Sequence, residues 1–375
     1  MVKVPVLTDG TVRLRAHTEG DLVAFVEQND DLLTRTWTRV PVPYRLEDAQ
    51  RALRHVKPDG WALDQEWSFA VDAPDPGEPS DTLRYAGTVT LRNCDEARAE
   101  IAYAAHPWAR GRGVIEAALR LLVEWGFAEH GLETIVWWAQ EGNWASRKVA
   151  WRLGFSCDGV VRRWQEHRGA LVDAWVGTLH RDDVRAPRGP WYDVPTIHGE
   201  GIRLRIHRDE DAARIQEACA DERSARWLGS LPNPYSLEDA QQFLRTRPEQ
   251  MATGTAVHWI IADPETDQLL GAVSVMTIGG PSGPEVGYWT HPDARGRGVM
   301  TEAVRLVRRH AFVPVADGGL GLTKLRLVAA VDNHASRQVA VANGFREVGI
   351  ERAGTRCRDG DHDAMIYDLL VSDVR

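Results

Sequence analysis

The chain repeats itself once, and that duplication limits the fold more than any other feature of its 375 residues. TVRLRAHTEGD (11–21) answers GIRLRIHRDED (201–211), with Leu14 aligned to Leu204, a shift of 190. LEDAQ (46–50) returns at 237–241, and ARGRGV (109–114) at 294–299. Asn143, Ser146, Arg147, Gly154 and Phe155 return as Asn333, Ser336, Arg337, Gly344 and Phe345, again shifted by 190. The offset varies because the first copy has a longer Pro-rich segment, DAPDPGEPSDT (72–82), and the second a longer VPVADGGLGL (313–322). Solenoid units are roughly 20–50 residues long, so two copies of this size are a duplicated domain. Each is long enough to bury its own core. RAPRGPWYDVPTIHGE (185–200) is the expected connection, which gives an N-terminal domain 1–186, a linker 187–197 and a C-terminal domain 198–375.

Composition narrows the class. The chain is 43% hydrophobic and 26% charged, ordinary for a globular protein. A net charge of −9 argues against a nucleic-acid partner, because phosphate contacts need a basic face. No apolar run approaches the ~18 residues of a membrane span, and the N-terminus lacks a signal-peptide core. Cys94, Cys157, Cys219 and Cys357 lie far apart without metal-ligand spacing, so reduced thiols, no metal and a cytoplasmic location are expected.

Within each copy the hydrophobic period alternates. TVRLRA reads as a strand, and helical stretches follow at about 19–31 and 46–56. Period-two segments lie near 66–71, 84–92 and 98–105. In the helix that opens at Gly113, Val114, Ala118, Leu121, Leu122 and Trp125 share one face. TIVWWAQ (134–140) is an apolar strand, Asn143 is a helix N-cap, and two strands follow at 157–165 and 171–179. This order predicts an α/β sandwich and not a regular βαβ array.

The sharpest local signal is HPxARGRGV: a strand end, a glycine loop and the start of an apolar helix. Glycines let a ligand approach the backbone, and a helix start offers free N–H groups, which suits a pyrophosphate. Arg110 and Arg112, or Arg295 and Arg297, add charge. A Rossmann fingerprint lacks its third glycine here, and a P-loop lacks its G-K-[ST].

These motifs, with the RLR strand, P-x-x-LEDAQ, EIAY (100–103) or EVGY (285–288), and N-x-x-SR…GF, resemble the GNAT N-acyltransferases in each half. The nearest branch acetylates N-terminal amines of ribosomal proteins. The resemblance implies an α/β (α+β) fold with two domains, each a mixed, mostly antiparallel sheet flanked by helices. It implies acetyl-CoA as co-substrate, cradled by Arg110, Gly111, Arg112, Gly113 and Val114, and by Arg295, Gly296, Arg297, Gly298 and Val299. It also implies that Ala105 and Thr290, at strand ends, and Asn143 and Asn333 hold the pantetheine arm.

A protonated amine cannot attack a thioester, so a base must remove its proton. The family pattern points to Glu100 and Glu285. Ser146 and Ser336 are the candidate donors to the departing thiolate, because the tyrosine many relatives carry four residues before the G-F glycine is replaced by Ala150 and Ala340. The same serines could instead cap their helices, and His106 and His291 read as turn residues. Ile115 and Met300, where Gly or Ala is usual, are expected to crowd the loop.

Of 15 tryptophans, twelve lie at or before Trp191. Trp137, Trp138, Trp144 and Trp151 either pack within the core and between domains or line an acceptor pocket for a flat, apolar amine. The expected activity is acyl transfer to a primary amine of a small molecule such as an antibiotic or specialised metabolite, by a monomer or homodimer. The alternatives are a protein N-terminal amine as acceptor, one live half with one structural half, and a silent acyl-CoA sensor or scaffold.

Overall fold

The computed structural model describes residues 3–77 and 82–374, so the end of the Pro-rich segment, 78–81, lies outside the described residues. The chain divides into two compact units between Arg188 and Gly189. In the first unit β1 (Leu7–Thr8) and β2 (Arg13–Arg15) precede helices α1 (Leu22–Asp30), α2 (Leu32–Trp37), α3 (Leu46–Arg51) and α4 (Lys57–Ala62). Then come β3 (Glu66–Pro74), β4 (Leu83–Asp95), β5 (Arg98–Ala105), α5 (Val114–Glu129), β6 (Thr134–Gln140), α6 (Trp144–Arg152), β7 (Gly159–His167) and β8 (Ala170–His180).

The second unit repeats the plan. β9 (Ile197–His198) and β10 (Arg203–Arg205) precede α7 (Ala212–Ala220), α8 (Glu222–Trp227) and α9 (Leu237–Ala252). β11 (Val257–Ala262), β12 (Leu269–Met276), β13 (Glu285–Thr290), α10 (Val299–Phe312), β14 (Lys324–Ala330), α11 (His334–Ala342), β15 (Arg346–Cys357) and β16 (Gly360–Leu370) complete it. Each unit holds one eight-stranded sheet, ordered β1-β2-β3-β4-β5-β6-β8-β7 and β9-β10-β11-β12-β13-β14-β16-β15. β5 with β6 and β13 with β14 are parallel pairs, and the other strand pairs are antiparallel. The mixed sheet between helical layers is the expected α/β architecture, and no helix among the described residues is long and apolar enough to cross a membrane.

Helices α5 and α6 cover one sheet face over Phe69, Val89, Leu91, Ile101, Ile135 and Trp137, all nearly or fully buried. The opposite face carries α1 and α3 on Phe25, Tyr44, Leu53, Ala70 and Tyr85. Each fully buried large apolar side chain contributes about 1.5–3 kcal/mol. The face of α5 that enters the core is turned from the expected one. Ile115, Leu119, Leu122, Val123 and Phe127 are buried, whereas Leu121 and Trp125 are only partly so. Trp125 packs at the margin against Trp61, Trp67 and Phe69, a cluster that periodicity alone does not reveal.

The RLR strand has a structural reason. Arg15 binds Asp21 and Asp72, each at 2.7 Å, and Arg205 binds Asp211 at 2.8 Å and Asp267 at 2.9 Å. Removing the buried Arg205 would leave the buried Asp211 without its cation, at a cost of about 3–5 kcal/mol. Residues 187–197 are anchored within the units. Arg188 Nε donates to Gly154 O at 2.8 Å, Tyr192 N to Met251 O at 3.0 Å, and Trp259 Nε1 to Pro195 O at 3.2 Å.

Candidate active site

In the first unit β5 and β6 pair at Arg98–Thr134, Ala99–Ile135, Glu100–Val136 and Ile101–Trp137, and then part. Beyond that point Ala102–Ala105 pair with β4, and Trp138–Gln140 with β8. In the second unit β13 and β14 meet at Glu285–Arg326 and part at once. Strands that separate inside a sheet expose main-chain N–H and C=O groups that need a partner. An extended chain bearing amides fits such a gap as an added strand. Ala105 and Thr290 lie on its rim, each paired to the outer strand through Gly87 and Gly271.

Beside the gap sits the glycine loop. Pro107–Ala109 forms one tight turn, Arg110 is extended, and Gly111 and Gly113 adopt φ of +73° and +75° before α5. Gly296 and Gly298 adopt +71° and +75° before α10. A Cβ at any of the four meets nothing within 4 Å. The backbone angle therefore selects glycine, and the space beside the loop is open. Among the described residues no side chain caps the first turn of α5 or α10, so Val114 and Val299 begin helices whose first amide donors and positive dipole ends have no capping partner there. This is a cradle that fits a diphosphate.

The loop arginines divide. Arg112 and Arg297 are exposed. The side chains of Arg110 and Arg295, expected to add charge at the phosphates, turn away. Arg110 Nη2 lies 2.6 Å from Asp31 Oδ2 and 3.3 Å from Thr34 Oγ1, and Arg295 binds Asp221 and, at 2.7 Å, Ser224 Oγ. Asp31 and Asp221 are the N-caps of α2 and α8, so these ion pairs lock the loop to the neighbouring helices. Ile115 and Met300 do not crowd the loop, because the second helical position points into the core in both units. His106 and His291 are buried and tie the turn to Glu27 at 3.0 Å and Glu217 at 3.2 Å.

Side-chain alternation places the chemistry on both faces of the gap. Ile101 and Tyr103 belong to the α5–α6 core, as Val286 and Tyr288 belong to that of α10 and α11. Glu100 and Glu285 therefore point to the opposite face. Glu100 Oε1 accepts from Arg92 Nη1 at 3.0 Å. Burial pushes the Glu285 carboxyl above its ordinary value, against the pull of Arg326.

On the α6 side, Asn143 Oδ1 accepts from Ser146 N at 3.2 Å, and Asn333 Oδ1 from Ser336 N at 3.2 Å. Both asparagines are thus N-caps through the oxygen, with the amide NH₂ left as the group for any further contact. The serine hydroxyls are held by residues the sequence reasoning missed. Tyr103 Oη lies 2.9 Å from Ser146 Oγ and donates to Ser146 O at 2.9 Å; Tyr288 Oη lies 3.0 Å from Ser336 Oγ. Trp137 Nε1 gives Ser146 Oγ a second bond at 3.1 Å. The signal was present: a tyrosine ends EIAY and EVGY at equivalent strand positions that face the core, and a buried phenol needs a polar partner.

The tryptophans also sort by face. Trp137 is core, 1% exposed, and Trp144 packs on Trp175 with ring centroids 4.6 Å apart. Trp138 shares the Glu100 face and stacks on Trp164 at 4.9 Å and 17°, with Trp164 56% exposed. Arg163, at φ +52°, sits in a bulge that Asp173 holds through Arg163 N at 2.8 Å and that lifts Trp164 over β8.

The model of one protein family, the acetyltransferase (GNAT) domain, matches the chain twice, at residues 11–156 and 202–346. The "Putative ribosomal N-acetyltransferase YdaF" of Bacillus subtilis (strain 168) is 29% identical over 175 residues, covering 46% of this chain and 92% of that protein. The ribosomal-protein-serine acetyltransferase of Escherichia coli (strain K12) is 28% identical over 106 residues, 28% of this chain and 56% of that one. Among solved structures, the microcin C7 self immunity acetyltransferase MccE, in complex with acetyl-CoA and AMP, is 16% identical over 46% of this chain and 93% of its own, with a TM-score of 0.40. Two domain matches, two sheets of one strand order and two glycine loops beside open strand pairs lead to one conclusion: the chain belongs to the GNAT family of N-acetyltransferases and carries its domain twice.

Proposed function

We propose that the chain transfers an acetyl group from acetyl-CoA to the primary amine of a small molecule. One observation carries this reading: in each unit the open strand pair lies between a carboxylate on one sheet face and a tyrosine-held serine on the other. Arg110 to Val114, and Arg295 to Val299, would hold the diphosphate through main-chain N–H groups. The pantetheine amides would pair with the free edges near Ala105 and Thr290, and the Asn143 or Asn333 amide would donate to the same arm.

The amine approaches from the glutamate face. Its ammonium proton passes to the carboxylate directly or through water, and the freed lone pair attacks the thioester carbon. The N–C bond forms, and an unpaired strand N–H at the gap stabilises the charge on the carbonyl oxygen. As the C–S bond breaks, the serine hydroxyl on the far face donates its hydrogen bond to the sulfur. After attack the nitrogen gives up a second proton, which ends on the thiolate sulfur, while the first leaves the carboxylate to solvent. Base and leaving-group donor stand on opposite faces, as attack and departure require.

A small-molecule acceptor is supported, in the N-terminal unit, by the exposed Trp164 indole stacked on half-buried Trp138 on the Glu100 face, which offers a platform for a flat apolar amine. The second reading, acetylation of a protein N-terminus, is favoured by the ribosomal-protein acetyltransferases among the relatives. Thiol release from acetyl-CoA, measured over a panel of aromatic amines, aliphatic amines and N-terminal peptides, decides between them. Release with aromatic amines supports the first, release with peptides alone supports the second, and no amine-dependent release despite bound CoA leaves a sensor.

A further inference from the structure

The strand register pairs each candidate base with one residue on the adjacent strand, and that residue differs. In the first unit Glu100 stands opposite Arg92. The Arg92 guanidinium gives Nη1 to Glu100 Oε1 at 3.0 Å and Nε to Glu66 Oε2 at 3.2 Å, and Lys57 holds Glu66 at 2.5 Å. Glu66, Arg92 and Glu100 are register partners across β3, β4 and β5, so the clamp is built into the sheet. In the second unit the residue opposite Glu285 is Met276, and no ion pair reaches the Glu285 carboxylate among the described residues.

The groups around Glu285 come from several strands. Arg326 is its partner on β14, lies 3.7 Å from Glu351 of β15, and stands opposite Asp368 of β16, which Lys324 binds at 2.9 Å. On β12 and β11, Ser274 accepts or donates at 2.7 Å with His258, whose burial holds it far below the ordinary histidine range and therefore neutral. Arg326 is the one cation at Glu285's own register position, and it is shared.

Resting on the transferase reading above, we propose that Arg92 is a positioning residue that withholds Glu100 from base catalysis, that Met276 leaves Glu285 free for it, and that acetyl transfer is therefore concentrated in the C-terminal unit. Two physical effects act together. A carboxylate oxygen engaged by a guanidinium must break that bond before it can take a proton. The fixed positive charge of Arg92 also repels an incoming ammonium, whereas the thioether of Met276 does not. The pair is partly exposed, with side chains 43% and 34% accessible, so it adds less than about 1 kcal/mol to folding. Its effect is on which unit can receive a proton.

The test uses the full chain. Glutamate carboxyls are labelled with ¹³C, Glu285 is assigned through Glu285→Gln, and its titration is followed in wild type, Met276→Arg and Met276→Leu. Met276→Arg is expected to lower the Glu285 midpoint by about one to three pH units, and Met276→Leu to leave it in place. With acetyl-CoA and the amine of the panel that releases most thiol in the wild type as probes, Met276→Arg is expected to lower kcat at pH 7 at least about tenfold while native mass spectrometry still counts the same bound CoA. Arg92→Met in a chain carrying Gly298→Asp is expected to raise the residual rate by a similar factor. An unmoved midpoint in Met276→Arg overturns the proposal whatever the rate. A moved midpoint in a chain that releases no thiol with any amine overturns the transferase reading and leaves the clamp standing.

Discussion

The two units share strand order, glycine-loop angles and serine geometry, yet they differ at the residues on the sheet face of Glu100 and Glu285. The N-terminal unit has a clamped Glu100 and an exposed indole, Trp164, stacked on half-buried Trp138. In the C-terminal unit Arg92 becomes Met276, and the register positions of Trp138 and Trp164 become Val328 and Gly354. Ser146 accepts from an indole that Ser336 lacks, since Leu327 stands at the position of Trp137. The two copies keep the glycine-loop angles and the tyrosine–serine contact and differ in the side chains around Glu100 and Glu285. The fold tolerates that split because the glycine loops are set by backbone conformation, whereas the clamp and the indole stack are made of side chains.

The comparison breaks most readily at the loops. Gly298→Asp forces a carboxylate and a β-carbon onto a left-handed residue beside the phosphate, at about 1–2 kcal/mol of strain plus charge repulsion. It is expected to weaken CoA binding in the second unit roughly a hundredfold and to remove most turnover. Gly113→Asp is expected to remove one bound CoA by native mass spectrometry with little loss of rate. Equal losses from both would mean two equally active units.

Glu285→Gln comes next, with kcat lower by about 10²-fold, while Glu100→Gln changes it less than about threefold. The same variant probes stability. The folded-state pKa of Glu285 is raised, so its ionised form is disfavoured in the fold and stability falls as pH rises through that value. Glu285→Gln should therefore raise Tm at pH 7 and leave it unchanged at pH 4. A lower Tm at pH 7 would show that the carboxylate is structurally paired.

Removing a leaving-group donor has a smaller effect. Ser336→Ala should lower kcat roughly tenfold with KM for acetyl-CoA unchanged, and Tyr288→Phe somewhat less. A rise in KM alone would reduce the serine to a structural partner of Tyr288. The smallest effect concerns the indole platform. Trp164→Ala should weaken tryptamine binding about fivefold by calorimetry, and unchanged affinity would remove the aromatic acceptor site.

Much of the fold was legible because local rules agree with the tertiary answer. TIVWWAQ is β6 over its whole length, Asn143 caps α6 as its position suggested, and β5 spans 98–105 as its period predicts. Helical periodicity was less reliable on α5, where Ile115 and Leu119 enter the core and Trp125 joins an aromatic cluster from β3 and α4. The glycines of the loop were readable, because a positive φ leaves a residue-type signature. The role of Arg110 was not. A basic residue beside a phosphate cradle reads as a ligand, and its partner Asp31 lies 79 residues away in sequence.

By itself the sequence determined the duplication, the layered α/β plan, the glycine loops and the family, because each is written in spacing, period or a residue whose backbone angles few others adopt. Only the tertiary structure decided which side chains meet: Arg92 on Glu100, Met276 beside Glu285, Tyr103 on Ser146, and Trp138 on Trp164. Those contacts depend on strand register. A one-residue slip would send every side chain to the other face, and register is fixed by how the whole sheet packs and not by any short stretch of chain.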